Sequence, residues 1–244
     1  MSQPLVSVVI PSHNRFEYLV SAIESVQRQN YSNIEILVIN DGSTQQEYYR
    51  YKFEENVIKI DLEENQRNVL GYISAGHVRN FGISKAQGKY IAFLDDDDIW
   101  LPDKLSKQIN KLETSENKMS STDGLIGRGS YKSDEKYLIY NKERFFKRIA
   151  KKHSKSKFSN YKSFTFPEEF NFNFIKTHNS IITSSVVVES KLIKFIGGFR
   201  PIPTKDDYAP DYDCWLNLLR LTNCQYVEKP LFYYDESHGH GREW

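Results

Sequence analysis

The chain has 244 residues, with 33 basic and 32 acidic side chains and a formal net charge of +1. That balance gives no electrostatic reason to expect nucleic acid as a partner. Aromatic residues make up 14%, which excludes a disordered composition, and no apolar run nears the ~18 to 20 residues of a membrane-spanning helix.

In chain order, LVSVVI (5–10) is a short β-branched run of the kind buried on both faces of a sheet, and it ends at Pro11. SHNRFEYLVSAIESVQRQ turns helical, with Leu19, Ile23 and Val26 on one face; Asn14 and Glu17 have the spacing of a helix cap and its capping-box partner. IEILVIN (34–40) is a second buried strand, running into the turn signal DGS, and NVIKIDL (56–62) is a third. SAGHVRNFGISKAQG (74–88) predicts a helix stopped by Gly88, and KYIAFL a fourth strand. Four aspartates, Asp95 to Asp98, follow at once, and LPDKLSKQINKLE then predicts a helix with Pro102 near its start.

Alternating strands and helices predict an α/β fold with a mostly parallel central sheet flanked by helices. In such sheets ligands sit at the carboxyl ends of the strands. SHNR, NDGS and DDDD each follow a strand directly, so three polar loops converge on one edge.

Residues 117–165 break the pattern. Within 131–162 there are nine Lys and two Arg against one Asp and two Glu, a net of +8. Such a stretch reads as a solvated insertion, or as a basic surface for an anionic acceptor, a phospholipid face or a partner. HNSIITSSVVV (178–188) predicts a strand, ESKLIKFI a short helix before Gly197 and Gly198, and DYDCWLNLLRL (211–221) a helix with Trp215, Leu218 and Leu219 inward. Cys214 and Cys224, read in one helical segment at no metal-ligand spacing, suit reduced thiols of a cytoplasmic protein. MSQPLVSVV has no basic region and no apolar stretch long enough for a signal peptide.

Adjacent carboxylates at a strand end repel one another, and a hard divalent cation such as Mg²⁺ or Mn²⁺ offsets that repulsion through oxygen ligands. Two carboxylates need further ligands, and a nucleotide diphosphate supplies them. An EF-hand loop would need a D-x-D-x-D-G run with a later Glu. A haloacid-dehalogenase type of phosphatase would place its pair after the first strand. One helix cap would need a single Asp. Asp41 is a second carboxylate on this edge, able to accept from a base N–H or a ribose hydroxyl, or simply to build the Asp-Gly-Ser turn. Asp211 and Asp213 open a helix, where they serve as caps or as an ionised general base for an alcohol. His238 and His240 lie in DESHGHG, either a flexible tail or, through one imidazole, a completion of the metal shell.

VSVVIPSHNR, ILVINDGST, VRNFGISKAQGKYIAFLDDDDIWLPDKL, GGFR and DYDCWLNLLRL together resemble the inverting family-2 glycosyltransferases with the nucleotide-diphospho-sugar-binding GT-A fold. The resemblance covers roughly 5–110 and 175–235. It implies one domain, with 1–112 as the nucleotide-sugar half, 113–170 as a basic insertion and 171–244 as the acceptor half. Pro11, Ser12 and Arg15 would then shape the nucleotide pocket, Asp41 would bind the base, and Arg79 would lie near the donor. Asp95 and Asp97 would be the D-x-D pair, with Asp97 on Mn²⁺ or Mg²⁺, Asp95 or Asp96 near the ribose, and His238 as a further metal ligand. The family's Glu-Asp before the last helix reads Pro210-Asp211 here, so the base falls on Asp211 with Asp213 as substitute. Its Asp-Asp-Gly-Ser reads Asn40-Asp41-Gly42-Ser43.

The resemblance implies single-displacement transfer from a nucleotide-sugar, UDP-linked first, to a hydroxyl on a glycan, a lipid-linked sugar or a protein. Peripheral membrane contact would run through 131–162. Two other classes use the same residues: a metal-dependent nucleotidyl or phosphoryl transferase, which would release pyrophosphate or phosphate, and a non-catalytic binding module on this fold.

Overall fold

The computed structural model describes residues 3–72, 75–153, 163–202 and 209–241. Its elements in chain order are β1 (Val6–Ser12), α1 (Phe16–Gln27), β2 (Ile34–Asn40), α2 (Glu47–Arg50), β3 (Val57–Asp61), α3 (Gln66–Leu70), α4 (Ala75–Lys85), β4 (Tyr90–Phe93), β5 (Ile99–Trp100) and α5 (Lys104–Glu113). The second half holds β6 (Met119–Gly127), β7 (Leu138–Ile139), α6 (Phe146–His153), β8 (Glu169–Phe170), α7 (Phe172–Thr177), β9 (Val187–Glu189), α8 (Ser190–Phe195), α9 (Pro210–Leu218) and β10 (Cys224–Asp235).

The sheet runs β3-β2-β1-β4-β9-β6-β10-β5. It is parallel from β3 to β4, as the strand-helix alternation predicts. Beyond β4 it is mixed: β9 is antiparallel to both β4 and β6, while β10 lies parallel to β6 and antiparallel to β5.

The two-residue period of the strands sorts their side chains into two apolar layers. Val6, Val8, Ile10, Ile36, Val38 and Ala92 pack with Leu19, Ile23 and Val26 of α1 and Leu105, Ile109 and Leu112 of α5. Val9, Leu37, Ile39, Ile91 and Phe93 pack on the opposite face with Val78 of α4, Ile193 of α8, and Trp215 and Leu218 of α9. A Cβ on Gly82 would stand 2.5 Å from Val9 Cγ1, so α4 lies on β1 at a distance only glycine permits.

Several local expectations give way to tertiary contacts. Asn14 does not cap α1. It has φ 51, and its side-chain oxygen accepts from Thr44 N at 2.7 Å and Gln45 N at 3.2 Å, tying the loop after β1 to the loop after β2. Arg15 stands at the cap position but its side chain makes no capping bond to the helix. α4 ends at Lys85, short of Gly88. The strand predicted over 178–188 is a 3-10 turn, Thr183–Ser185, followed by the three residues of β9. Cys224 opens β10 rather than sharing a helix with Cys214; both are buried free thiols. No helix among the described residues is long and apolar enough to cross a membrane.

Candidate active site

The loops after β1, β2 and β4 meet at one edge of the sheet, and the four aspartates divide there. Asp96 and Asp98 are fully buried, whereas the side chains of Asp95 and Asp97 keep 22% and 13% exposure. Each has its own partner. Arg79 Nη2 donates to Asp95 Oδ1, and Arg15 Nη1 donates to Asp97 Oδ2 at 2.8 Å and lies 3.6 Å from Asp96 Oδ1. Ser12 Oγ donates to Asp96 Oδ2 at 2.7 Å, and with its proton so committed it accepts from the Tyr48 hydroxyl at 2.5 Å. Ser184 Oγ donates to Asp98 Oδ2 at 2.5 Å and accepts from Asp95 N at 3.0 Å; Asp98 Oδ1 accepts from Asp235 N.

The four carboxylates are therefore two pairs. Asp96 and Asp98 form the inner frame of the turn, and Asp95 and Asp97 face the site. Burial pushes Asp96 up to about 7, with Arg15 and Ser12 pulling the other way. Burial also raises Asp97 and Asp98 well above the usual carboxylate range, and repulsion from neighbouring aspartates adds to it, from Asp96 and Asp95 on Asp97 and from Asp97 and Asp95 on Asp98. Such a cluster is electrostatically short of positive charge.

The RNFG stretch of α4 does three separate jobs. Arg79 is buried, pairs with Asp95 and stacks 5.5 Å over Phe199. Asn80 clamps Phe199 through both its N–H and its carbonyl, at 2.9 and 2.7 Å. Gly82 provides the close packing on β1.

Asp41 is buried, and both its oxygens are engaged: Gln66 N donates at 2.8 Å and Asn65 Nδ2 at 3.0 Å. Burial raises it, and the Gln66 bond opposes that. Asp41 thus anchors the start of α3 and with it one wall of an open hollow of about 660 Å³, lined by His13, Asn14, Gly42, Thr44, Asn65 and Arg67 among others. Gly42 has φ 63, and a Cβ there would stand 2.5 Å from Asn65 N. Asn40 accepts from Ser43 N at 3.1 Å and donates to Asp61 at 2.7 Å, so an amide serves as the turn anchor. Pro11 and Ser12 are buried strand residues that add little open wall; Ser12 bonds Tyr48 and Asp96.

Across the sheet, α9 presents two acids with different surroundings. Asp213 is buried and gripped by both forks of Arg200, Nε to Oδ2 at 2.7 Å and Nη2 to Oδ1. Asp211 is half-buried. It accepts from Tyr212 N at 2.7 Å and from Thr183 Oγ1 at 3.3 Å. Burial raises it, Arg79 lowers it and Asp95 raises it again, so Asp211 shares an electrostatic neighbourhood with the Asp95 pair. The turn Thr183–Ser185 physically joins the two sets, Thr183 touching Asp211 and Ser184 touching Asp95 and Asp98. Trp100 Nε1 pins this turn by donating to Ser184 O at 2.8 Å.

His238 lies against Tyr18, with rings 4.9 Å apart, and 3.6 Å from Asp235 Oδ2. It is joined to the aspartate turn through Asp235 and Asp98 rather than through Asp97. The His240 side chain and 154–162 of the basic stretch lie outside the described residues. Tyr48, Asn65, Asn80, Thr183 and Ser184 were not legible as site residues. Only the small polar run at Thr183–Ser185 marked that position at all, and it followed a strand pattern.

The sequence model for the family described as Glycosyl transferase family 2 matches residues 7–177. An uncharacterised glycosyltransferase of Rickettsia typhi is 30% identical over 229 residues, which is 93% of this chain and 63% of that one. The UDP-Glc:alpha-D-GlcNAc-diphosphoundecaprenol beta-1,3-glucosyltransferase WfgD of Escherichia coli is 35% identical over 113 residues, 46% of this chain and 42% of its own. The S. aureus TarS crystal structure in complex with UDP-GlcNAc is similar in fold, with a TM-score of 0.60 at 19% identity, covering 96% of this chain and 59% of that one. The chain therefore spans about three-fifths of the length of the Rickettsia relative and of the TarS chain.

Proposed function

The chain belongs to glycosyl transferase family 2, and from that premise we propose that it moves a sugar from a UDP-linked donor to an acceptor hydroxyl by single displacement with inversion. The observation that carries this reading is the Thr183–Ser185 turn, where Ser184 holds the Asp95 backbone N–H and the Asp98 carboxylate of the aspartate turn while Thr183 holds the separate half-buried carboxylate of Asp211. The names of the E. coli relative and of the TarS complex, with UDP-Glc and UDP-GlcNAc, support UDP as the carrier. The E. coli relative's name also supports a lipid-linked sugar as acceptor. The buried free thiols Cys214 and Cys224 suit a reducing, cytoplasmic location.

Among the described residues no three His, Cys, Asp or Glu side chains converge as a ready-made metal cage. Hard ions such as Mg²⁺ bind through one or two carboxylates together with substrate phosphates, and Asp95 and Asp97 fit that arrangement. Asp97 and Asp95 would hold the ion, which when bound stabilises the charge of the departing nucleoside diphosphate. Arg15 and Arg79 orient the two carboxylates and add positive charge beside the diphosphate. The hollow at Asn65 and Gly42 receives the nucleoside, its wall fixed by Asp41. Asp211 takes the proton of the acceptor hydroxyl as oxygen attacks the anomeric carbon. Thr183 and the Tyr212 N–H hold its oxygens, while Asp213 stays committed to Arg200.

Calorimetry and nucleoside-diphosphate release, run on UDP-, GDP- and dTDP-sugars with and without Mn²⁺, test this. Binding of a UDP-sugar that depends on the ion and is lost in Asp97→Ala is the expected result. Release of pyrophosphate, or no binding of any sugar-nucleotide, would overturn it.

A further inference from the structure

α6 carries Lys147, Arg148, Lys151 and Lys152, all exposed, while its Ile149 and Ala150 are buried against the protein. At ~100° per residue the four cations spread over about 140° of the helix circumference. α7 continues the charge. Lys152 Nζ donates to the Thr177 carbonyl at 2.6 Å, and His153 stacks on Phe174 with rings 4.2 Å apart, so the two helices form one surface. Exposed Lys176 and Arg220 both lie over the Phe172 ring, 5.9 and 5.0 Å from its centre. Neither α6 nor α7 contains an acidic residue.

We propose that this α6–α7 face docks on an anionic phospholipid bilayer. Six cations on one side of the molecule gain most from an extended sheet of negative charge. A discrete phosphate site would instead draw two or three of them to one point, whereas here they are set along two helices and in the turn after α9. The apolar side of α6 is already used against the protein core, so the attachment is electrostatic, with no helix inserted. The face also runs back to the catalytic edge. Phe145, just before α6, packs on Tyr140 with rings 4.8 Å apart, and burial raises the Tyr140 phenol with Asp211 adding to it and Arg148 opposing. Docking there would set the Asp211 side of the site beside the membrane surface, where a lipid-borne hydroxyl is presented.

Sedimentation of the full chain with vesicles tests this, without any nucleotide-sugar present, so it stands or falls separately from the proposed transfer. The probes are vesicles of phosphatidylcholine alone and of phosphatidylcholine with phosphatidylglycerol, at ~50 mM and ~500 mM salt. Binding is expected only with phosphatidylglycerol, lost at the higher salt where charges are screened within a few ångströms. Lys147→Ala with Lys151→Ala, both exposed and outside the catalytic set, weakens it about 30-fold, which is about 2 kcal/mol at ~1 kcal/mol per basic residue. An unchanged melting temperature and an unchanged circular-dichroism spectrum show that the variant is folded. Equal binding to both vesicles, no binding, or a double variant that binds like the parent overturns the proposal. So does full displacement by millimolar inorganic phosphate at constant ionic strength, which would mark a discrete phosphate site instead.

Discussion

Lys104 opens α5 directly beneath the aspartate turn. It is fully buried, and its amine meets no hydrogen-bond partner among the described residues. It lies 3.9 Å over the Trp100 ring, the same ring that pins Ser184. Burial lowers its pKa well below the ordinary value. Folding at neutral pH therefore either buries an ammonium or strips its proton. Burying the ion costs several kcal/mol, and the aromatic face returns about 2. Lys104→Met keeps the length of the stem and removes the charge, so we expect a gain of about 1 to 3 kcal/mol near pH 7. For a chain of this size that is about 3 to 10 °C in Tm. The sign with pH follows from proton counting. The unfolded chain holds the lysine proton up to about pH 10.4, and the folded chain releases it earlier, so the stability of the parent rises with pH across that window. The advantage of Lys104→Met should shrink towards zero as pH approaches ~10.5. Chemical denaturation of both proteins at pH 7, 8.5 and 10 measures this. A variant less stable than the parent at pH 7, or an advantage that does not change with pH, refutes the reasoning. Activity should survive, because the ring and not the charge holds Ser184.

Asp211→Asn should lower kcat by about 10² to 10⁴ while leaving UDP-sugar binding intact, read by steady-state kinetics and calorimetry. Because burial raises Asp211, the acid limb of kcat should fall above the ordinary carboxylate range, activity being present above that limb and lost below it. Thr183→Val removes a bond that favours the ionised form, so the limb should move to higher pH; Thr183→Ser should restore it, and a limb that stays in place in the Val variant argues against Asp211 as the base. Gly82→Ala places a Cβ against Val9 Cγ1 and should cost about 1 to 3 kcal/mol in urea unfolding with the site chemistry unaltered.

The strands 5–10, 34–40 and 90–93 were legible because their apolar runs are nearly continuous and each face of the sheet has a core layer to enter. The convergence of SHNR, NDGS and DDDD on one edge followed from parallel connectivity alone. The family resemblance rested on the same stretches, where backbone geometry and side-chain chemistry are both short-range in sequence. The division of labour within the site was not legible. Nothing in DDDD says that Asp96 and Asp98 turn inward to Ser12, Ser184 and the end of β10, because those partners lie 84, 86 and 137 positions away. DYDCW does not say which acid is free: Arg200, bonded to Asp213, decides that. A run such as IITSSVVV carries strand propensity, yet Thr183–Ser185 curls into a turn because its hydroxyls and carbonyls are claimed by Asp211, Asp98 and Trp100. Periodic burial is written locally, and so the sequence by itself determined the layers and the edge. Pairing of buried polar groups depends on what the other elements bring within hydrogen-bond distance, and only the tertiary structure decided it.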